Sequence, residues 1–230
     1  VIIQSLTAAP LARFLGTAEP ENRGILIFGA NDLSRAIGKT LEESGFPVMI
    51  AGLNWRDLQK ARMDGMRTFY GNIVSAHADR QLDLIGIGKL LAMTNRPSLN
   101  ALACMRYKRE FGSKNVFTIK TEEERHTREE DLIATGYSAP FLSTERKTQA
   151  ELTALLTQGY EIRVTNITET YPYEKFMKQH KDDVVLLFAI NKKGILMPFI
   201  ENANLNPESG WQIISILPPL ETQPEKRSIA

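Results

Sequence analysis

The sequence has little cysteine and little histidine. Its one cysteine, Cys104, excludes an internal disulfide, which favours a reducing compartment. Cys104 lies in an apolar helical pattern, so we expect a small core residue and no reactive thiol. The three histidines, His77, His126 and His180, are far apart and lack the spacing of metal ligands. The sequence therefore predicts no metal site.

Excess charge and long apolar runs are also missing. With 28 basic and 27 acidic residues the net charge is +1, which gives no electrostatic reason to expect nucleic acid as a partner. No apolar run approaches the about 18–20 residues of a membrane span, and nothing basic precedes the apolar start as in a signal peptide. Residues 1–16 are apolar with one cation, Arg13. They predict either an amphipathic helix packed on the domain or the cytoplasmic end of a membrane helix.

Residues 24–50 carry the clearest fold signal. They read as an apolar strand (24–28), a turn (29–32), a helix (33–44) and a second strand (47–50). The first strand has no polar alternation, which is typical of a central parallel strand covered on both faces. The helix places apolar residues at i, i+4 and i+8, a stripe that can lie on a sheet. This is the opening β-α-β unit of a Rossmann-like fold, in which a ligand phosphate meets the helix N-terminus.

The turn in this unit departs from the dinucleotide pattern G-x-G-x-x-G, reading Gly29-x-Asn31-x-x-Ser34. Gly29 still permits the tight turn, and Ser34 is small enough for close packing of helix and sheet. Asn31 can adopt a positive φ at modest cost, but its side chain is expected to crowd an approaching pyrophosphate. Asp32 opposes a phosphate there, and Arg35 is the one nearby cation that can offset it.

Further strands alternate with helices downstream. The patterns predict helices at 55–64, 75–84 and 98–111, with Ser75 and Ser98 as caps, and strands at 66–70, 89–94 and 115–120. This alternation favours an α/β fold with a doubly wound parallel sheet. At the end of the second strand, where an NAD site usually has an acid, stands Gly52, and Asn54 or Asp57 from the next turn are the candidate substitutes.

The period changes in the last third of the chain. A charge-dense stretch (121–130) and a helix (148–157) lead to strands predicted at 160–167, 184–190, 195–200 and 211–217, with a short helix at 171–180. We therefore expect five parts: an N-terminal segment and linker (1–22), a Rossmann-like domain (23–120), a connecting helical segment (121–158), a small β-rich domain (159–220) and a tail (221–230).

Taken in order, these segments resemble the cytosolic C-terminal region of bacterial monovalent cation–proton antiporters (Na⁺/H⁺ type). The resemblance covers nearly the whole chain. The residues that carry it are VIIQSLTAAPLARFLG, ILIFGANDLSRAIGKTLEESG, LNWRDLQKARMDGMRTFYGNI, LLAMTNRPSLNALA, LTALLTQGYEIRVTNIT, VVLLFAINKKGILMPF and GWQIISILPP. That region contains a TrkA-N domain, also called RCK, followed by an appended C-terminal domain.

The resemblance implies a regulatory module and no catalysis. It implies a homodimer linked to a membrane-embedded antiporter domain of the same parent chain, at the cytoplasmic face of the bacterial inner membrane. By family position the ligand loop comprises Gly29, Ala30, Asn31, Asp32, Leu33, Ser34 and Arg35. Thr94 and Asn100 match positions near the mouth of the fourth strand, and Gly52 and Asn54 stand at the end of the second strand and in the turn after it. The departures from the glycine pattern leave two alternatives open: an adenine nucleotide (AMP, ATP or NAD(H)), or no ligand.

Two other functions compete with this interpretation. Tyr171 and Lys175 have the Y-x-x-x-K spacing of a short-chain dehydrogenase acid/base pair, which favours a soluble NAD(P)-dependent oxidoreductase. Against it, the glycines of that family's cofactor loop are missing, and we expect both tyrosines of this stretch to be packing residues. The third alternative is a ligand-free scaffold that dimerises and braces a transporter.

Overall fold

The protein is described from a computed structural model. The described residues are 22–126, 139–143, 145, 147–181, 183–200 and 205–219. Three predicted features, the N-terminal segment up to residue 21, the end of the charge-dense stretch (127–130) and the tail from 221, lie outside them. Among the described helices, none combines the length and apolarity that crossing a membrane requires.

The first sheet is parallel and has helices on both faces. Its strand order is β3-β2-β1-β4-β5. The strands are β1 (Gly24–Phe28), β2 (Val48–Gly52), β3 (Arg67–Tyr70), β4 (Ile87–Ala92) and β5 (Val116–Thr118). The helices between them are α1 (Asp32–Glu43), α2 (Trp55–Met63), α3 (Ala76–Gln81) and α4 (Pro97–Phe111). The predicted α/β class with a Rossmann-like sheet is confirmed.

The central strands are apolar because both of their faces are covered. Every residue of β1 and β2 is buried, and β1 pairs with β2 on one side and β4 on the other. One face packs on α1 and α2, where Leu33, Ile37 and Leu41 form the predicted stripe. The other face packs on α3 and α4. Alternate residues of each strand therefore enter different clusters, which explains the absence of polar alternation.

In the first sheet, the positive φ that Asn31 could have adopted is not used, and the predicted cap at Ser98 is wrong. Asn31 has φ −157°, which is extended backbone, because it is the N-cap of α1 and an N-cap residue takes that conformation. Ser98 does not cap α4: the N-cap is Arg96, which makes no side-chain cap, and Pro97 occupies the first helical position, where a missing N–H has no cost. Ser75 does cap α3, which ends at Gln81, earlier than predicted.

The last third of the chain forms a second, antiparallel sheet with strand order β6-β9-β7-β8. It begins after a helix, α5 (Gln149–Thr157), and a further helix, α6 (Tyr173–His180), covers one of its faces. Its strands are β6 (Glu161–Asn166), β7 (Val185–Ile190), β8 (Leu196–Pro198) and β9 (Gln212–Leu217). The predicted β-rich region with its short helix is confirmed.

Both sheets contribute to one hydrophobic cluster. Phe117 of β5 and Phe188 of β7 are fully buried and meet edge to face, with ring centroids 5.9 Å apart. Leu152 of α5 lies in the same cluster, and α5 packs against α1. The predicted domain boundaries stay predictions, but α1 and α5 physically join the parallel sheet to the antiparallel one.

Candidate functional site

The turn after β1 is built around Gly29. Its φ of +125° lies in the region that side chains rarely adopt, and a Cβ there would stand 2.4 Å from the carbonyl oxygen of Met93. The Gly29 N–H donates to the carbonyl of Ala51 at 2.8 Å, which ties the turn to the end of β2. Only glycine fits this close approach between the ends of β1 and β4.

Asn31 and Ser34 close the start of α1 with a reciprocal capping box. The Asn31 amide oxygen accepts from the Ser34 N–H at 2.8 Å, and the Ser34 hydroxyl accepts from the Asn31 N–H at 2.8 Å. A glycine-rich turn would leave such amides for a phosphate. Here the amides of Asn31 and Ser34 are already bonded within the capping box. The amides of Asp32 and Leu33 remain at the helix N-terminus without intrahelical partners.

Arg35 is engaged by carboxylates on the helix surface. Its guanidinium bonds the Asp32 carboxylate at 2.9 Å and the Asp64 carboxylate at 2.8 Å. Lys60 lies 3.9 Å from Asp32. Arg35 therefore offsets the negative charge of Asp32 through an ion pair, as predicted. The bonds to Asp32 and Asp64 hold the Arg35 guanidinium between α1 and the end of α2.

The end of β2 combines a buried glycine with a polar turn. A Cβ on Gly52 would lie 3.0 Å from the Ala30 Cβ, so the turn after β1 occupies the space where an acidic side chain would stand. Asn54 caps α2 through the Arg56 N–H at 3.0 Å and donates to the Asp57 carboxylate at 2.6 Å. Asp57 thus brings a carboxylate to this edge from the first turn of α2.

The end of β4 is held by Asn100 of α4, which is only 3% exposed. The Thr94 N–H donates to the Asn100 amide oxygen at 2.9 Å, and the Asn100 amide nitrogen donates to the Thr94 carbonyl at 2.9 Å. The Thr94 hydroxyl also donates to that oxygen, at 2.7 Å. Asn100 therefore positions the loop after β4, and both polar atoms of its side-chain amide have a partner in that loop.

These loops surround a cavity of about 360 Å³ at the carboxyl end of the parallel sheet. We call it the switch-point crevice, because the chain passes from β1 outward to β3 and returns to β4 on the other side. Its lining residues are Gly29, Ala30, Asn31, Leu53, Asn54, Asp57, Met93, Thr94, Asn95, Arg96, Leu99 and Gln149.

Six of the residues predicted for the site line the crevice: Gly29, Ala30, Asn31, Asn54, Asp57 and Thr94. Six do not line it. Leu33, Ser34, Gly52 and Asn100 are buried beneath it, and Asp32 and Arg35 form their ion pair beside it.

Sequence reasoning missed several lining residues. Asn95 and Arg96 follow Thr94 in the exit loop of β4, so the rule that ligands meet strand ends could have found them. Arg96 is the only cation among the described lining residues. Gln149 stands more than fifty residues later in the chain, and no local signal connects it to the crevice.

Tyr171 and Lys175 lie at α6, in the second sheet's layer and outside the crevice. The Tyr171 hydroxyl donates to the Gln179 amide oxygen at 2.8 Å, and the Lys175 ammonium lies 5.7 Å from the centroid of the Tyr171 ring. Burial raises the pKa of Tyr171, whereas an acid/base tyrosine needs a lowered one. The geometry of this pair gives the oxidoreductase alternative no support.

Comparison with known proteins finds a family match over the first sheet. Residues 25–135 match the sequence family described as the TrkA-N domain. No curated protein matches the chain. Among solved structures, the crystal structure of the GsuK RCK domain is similar over 87% of this chain and 45% of its own, at 13% identity and a TM-score of 0.43. The GsuK channel bound to NAD and the GsuK channel are 12% identical, with TM-scores of 0.40, and cover 93% and 94% of this chain.

The chain spans less than half the length of each of these solved chains. The family match begins at the second residue of β1 and runs through β5, so it contains every strand that borders the crevice. The matched residues are therefore similar to a TrkA-N domain, and all of the described lining residues of the switch-point crevice except Gln149 lie within the matched segment.

Proposed function

We propose that this chain is a nucleotide-sensing regulatory region of a monovalent cation/proton antiporter. The observation that supports the proposal best is the position of the crevice. It lies where the loops after β1 and β4 part, at the carboxyl ends of parallel strands, which is where open α/β sheets bind ligands.

The lining suits an adenine nucleotide with few phosphates. Leu53, Met93 and Leu99 offer apolar contact to a base, and the Asp57 carboxylate can accept from ribose hydroxyls. Arg96 can pair with a phosphate, but the capping box of α1 leaves fewer free amides than a glycine-rich turn provides. We therefore expect AMP to bind more tightly than ATP or NAD(H).

Regulation follows if the nucleotide binds two arrangements of the region with different affinity. The TrkA-N match supports the resemblance to antiporter C-terminal regions. We accordingly propose a homodimer at the cytoplasmic face of the bacterial inner membrane, linked to a membrane-embedded antiporter domain of the parent chain.

A thermal-shift titration with AMP, ADP, ATP, NAD and NADH tests the ligand. A ligand that binds only the native state stabilises it by about 2.7 kcal/mol at a concentration of 100 Kd. We expect the melting temperature to rise with AMP concentration, and to rise less with equal concentrations of GMP, which serves as the control for the base. Turnover of NADH would favour the oxidoreductase instead.

The proposal that this region regulates an antiporter is tested on the full parent protein and its gene sequence. We expect the sequence upstream of residue 1 to encode membrane helices, and the full protein to exchange Na⁺ or K⁺ for protons in everted vesicles. AMP should change the exchange rate. A parent frame without membrane helices, or vesicles without cation-dependent proton flux, would refute the antiporter assignment.

The ligand-free scaffold remains a second candidate because one observation favours it. The Asn31–Ser34 capping box satisfies two of the amides at the start of α1 that a phosphate could otherwise bind. A scaffold predicts no change in melting temperature with any of the five nucleotides, so the same titration separates the two functions.

A further inference from the structure

We infer that Gln149 contacts the occupant of the switch-point crevice and transmits its presence to the antiparallel sheet. The inference rests on the proposed function, since it assigns a regulatory contact to the same site. Gln149 is the first residue of α5, and it is the one lining residue of the crevice, among those described, that follows the parallel sheet in the chain.

The Gln149 side chain has an unsatisfied hydrogen-bond acceptor at the wall of the crevice. Its amide oxygen is buried and has no hydrogen-bond partner among the described residues. A buried acceptor without a donor is unfavourable, so a ligand that supplies a donor gains affinity there. The donor must be a hydroxyl or an amino group, which a ribose or an adenine base carries and a fully ionised phosphate lacks.

The backbone at Gln149 is already fixed, so the freedom at this position belongs to the side chain. Its N–H donates to the Lys120 carbonyl at 2.8 Å, next to the end of β5. The preceding residue, Thr148, caps α5 in a capping box with Glu151 and donates to the Glu122 carboxylate at 2.9 Å. α5 therefore begins at a defined place on the crevice rim.

A second cavity of about 550 Å³ continues from the crevice along α5. The two cavities share Asn95 and Gln149. The second is bordered by Glu123 and by Glu122, which pairs with Arg125 at 2.7 Å. Carboxylates repel a phosphate. The charge distribution therefore orients a nucleotide with its phosphate toward Arg96 and its hydroxyl or amino groups toward Gln149.

The other end of α5 leads to the second sheet. The helix ends at Thr157 and, after a three-residue turn, the chain enters β6, which pairs with β9 over six positions. Along its length α5 packs on α1, whose own N-cap, Asn31, lines the crevice. A ligand bound by Gln149 thus contacts the packed helix α5, which leads through a short turn into β6, the edge strand of the antiparallel sheet.

Hydrogen exchange of the whole chain, with and without saturating AMP, tests this inference. We expect AMP to slow exchange in the crevice loops and also in residues 149–166, which contain α5 and β6. Gln149→Leu removes the acceptor, so we expect it to bind AMP about fivefold more weakly than the wild type, as measured by calorimetry. When the two proteins are compared at equal occupancy by AMP, we expect AMP to slow hydrogen exchange in β6 of the wild type only. Gln149→Glu keeps an acceptor oxygen and should retain that protection. Gln158→Ala, at the exposed other end of α5, is the matched control and should behave as the wild type.

Three results would overturn the inference. The first is that AMP protects β6 as fully in Gln149→Leu as in the wild type at equal occupancy. The second is that AMP binds the wild type but protects only the loops after β1, β2 and β4. In both cases Gln149 transmits nothing, and the proposed nucleotide site still stands. If no nucleotide of the panel binds the wild type, the proposed function fails and the inference fails with it.

Discussion

Asn100 holds Thr94 at both polar groups of its backbone, by a hydrogen bond of 2.9 Å to the N–H and one of 2.9 Å to the carbonyl. The loop after β4, which forms one wall of the crevice, is thereby fastened to the first turns of α4. The side-chain amide of Asn100 thus supplies the backbone hydrogen bonds that a neighbouring strand no longer provides beyond the end of β4.

The first prediction concerns this bond pair. Asn100→Ala leaves the Thr94 N–H and carbonyl without their partners, so we expect a loss of about 2–4 kcal/mol in the free energy of unfolding. Asn115→Ala is the control, because Asn115 makes one side-chain bond, to the Phe111 carbonyl, and should cost about 1 kcal/mol. Urea denaturation of both variants measures the difference. Equal losses would show that Asn100 does not brace the loop.

The second prediction separates backbone strain from steric clash in the turn after β1. Gly29→Ala must place a Cβ 2.4 Å from the Met93 carbonyl at a φ of +125°. Gly65→Ala also has a positive φ, of +87°, but its Cβ would meet nothing within 4 Å.

We expect Gly65→Ala to cost about 1–2 kcal/mol, the penalty of the left-handed conformation alone. Gly29→Ala should cost at least 2 kcal/mol more, because the ends of β1 and β4 must separate. Thermal or urea denaturation gives both values. Should the two variants lose the same stability, the close approach at Gly29 would not be needed.

The third prediction is a pH dependence carried by the single cysteine. Burial raises the pKa of Cys104 to about 12, from an ordinary value of 9.0. Because the folded pKa is the higher one, the unfolded thiol loses its proton first as the pH rises. The stabilising contribution is therefore complete below pH 9 and is lost as the pH rises toward 12, by about 1.4 kcal/mol per pH unit.

Comparison with Cys104→Ala isolates this effect from the titration of tyrosines and lysines. Between pH 8 and pH 10 we expect the wild type to lose about 1 kcal/mol more stability than the variant, measured from urea midpoints at each pH. Parallel pH profiles for the two proteins would mean that the thiol is not desolvated in the fold.

The fourth prediction tests Arg96 as the phosphate contact. Arg96→Ala should weaken AMP binding by about ten- to a hundredfold, the usual range for loss of a charge-assisted hydrogen bond, and leave adenosine binding nearly unchanged. Arg109→Ala, at the exposed far end of the same helix, is the matched control. Calorimetric titration of the wild type, Arg96→Ala and Arg109→Ala with AMP and with adenosine tests this prediction. An equal loss for both ligands in Arg96→Ala would point to a role in loop structure and exclude a phosphate contact.

Much of the fold could be predicted because its signals are local. Continuous burial of β1 appears as an unbroken apolar strand, and the stripe of α1 appears as a helical period. The conformation of Asn31 could not be predicted from the sequence because two motifs compete for that position. The glycine pattern implies a positive φ, but Asn31 and Ser34 also have the spacing of a capping box, and the box determined the conformation.

The crevice was predictable only in part because some of its wall comes from distant sequence. The dinucleotide pattern at the strand ends led to Gly29 and Asn54, and the family resemblance led to Thr94; all three line the crevice. Neither signal can indicate that Asn100 turns its amide under Thr94, nor that α5 begins beside Asn95. Those placements follow from packing between segments, which a single sequence does not display.

The amide chemical-shift map of the ¹⁵N-labelled chain, titrated with AMP, tests the nucleotide site most directly. We expect saturable shifts that cluster at Gly29, Asn54, Thr94 and Gln149, with the residues of α6 unchanged. Shifts gathered instead at the cleft that Phe46 and Trp211 line between the two sheets, or no saturable shift at millimolar AMP, would contradict a nucleotide site in the switch-point crevice.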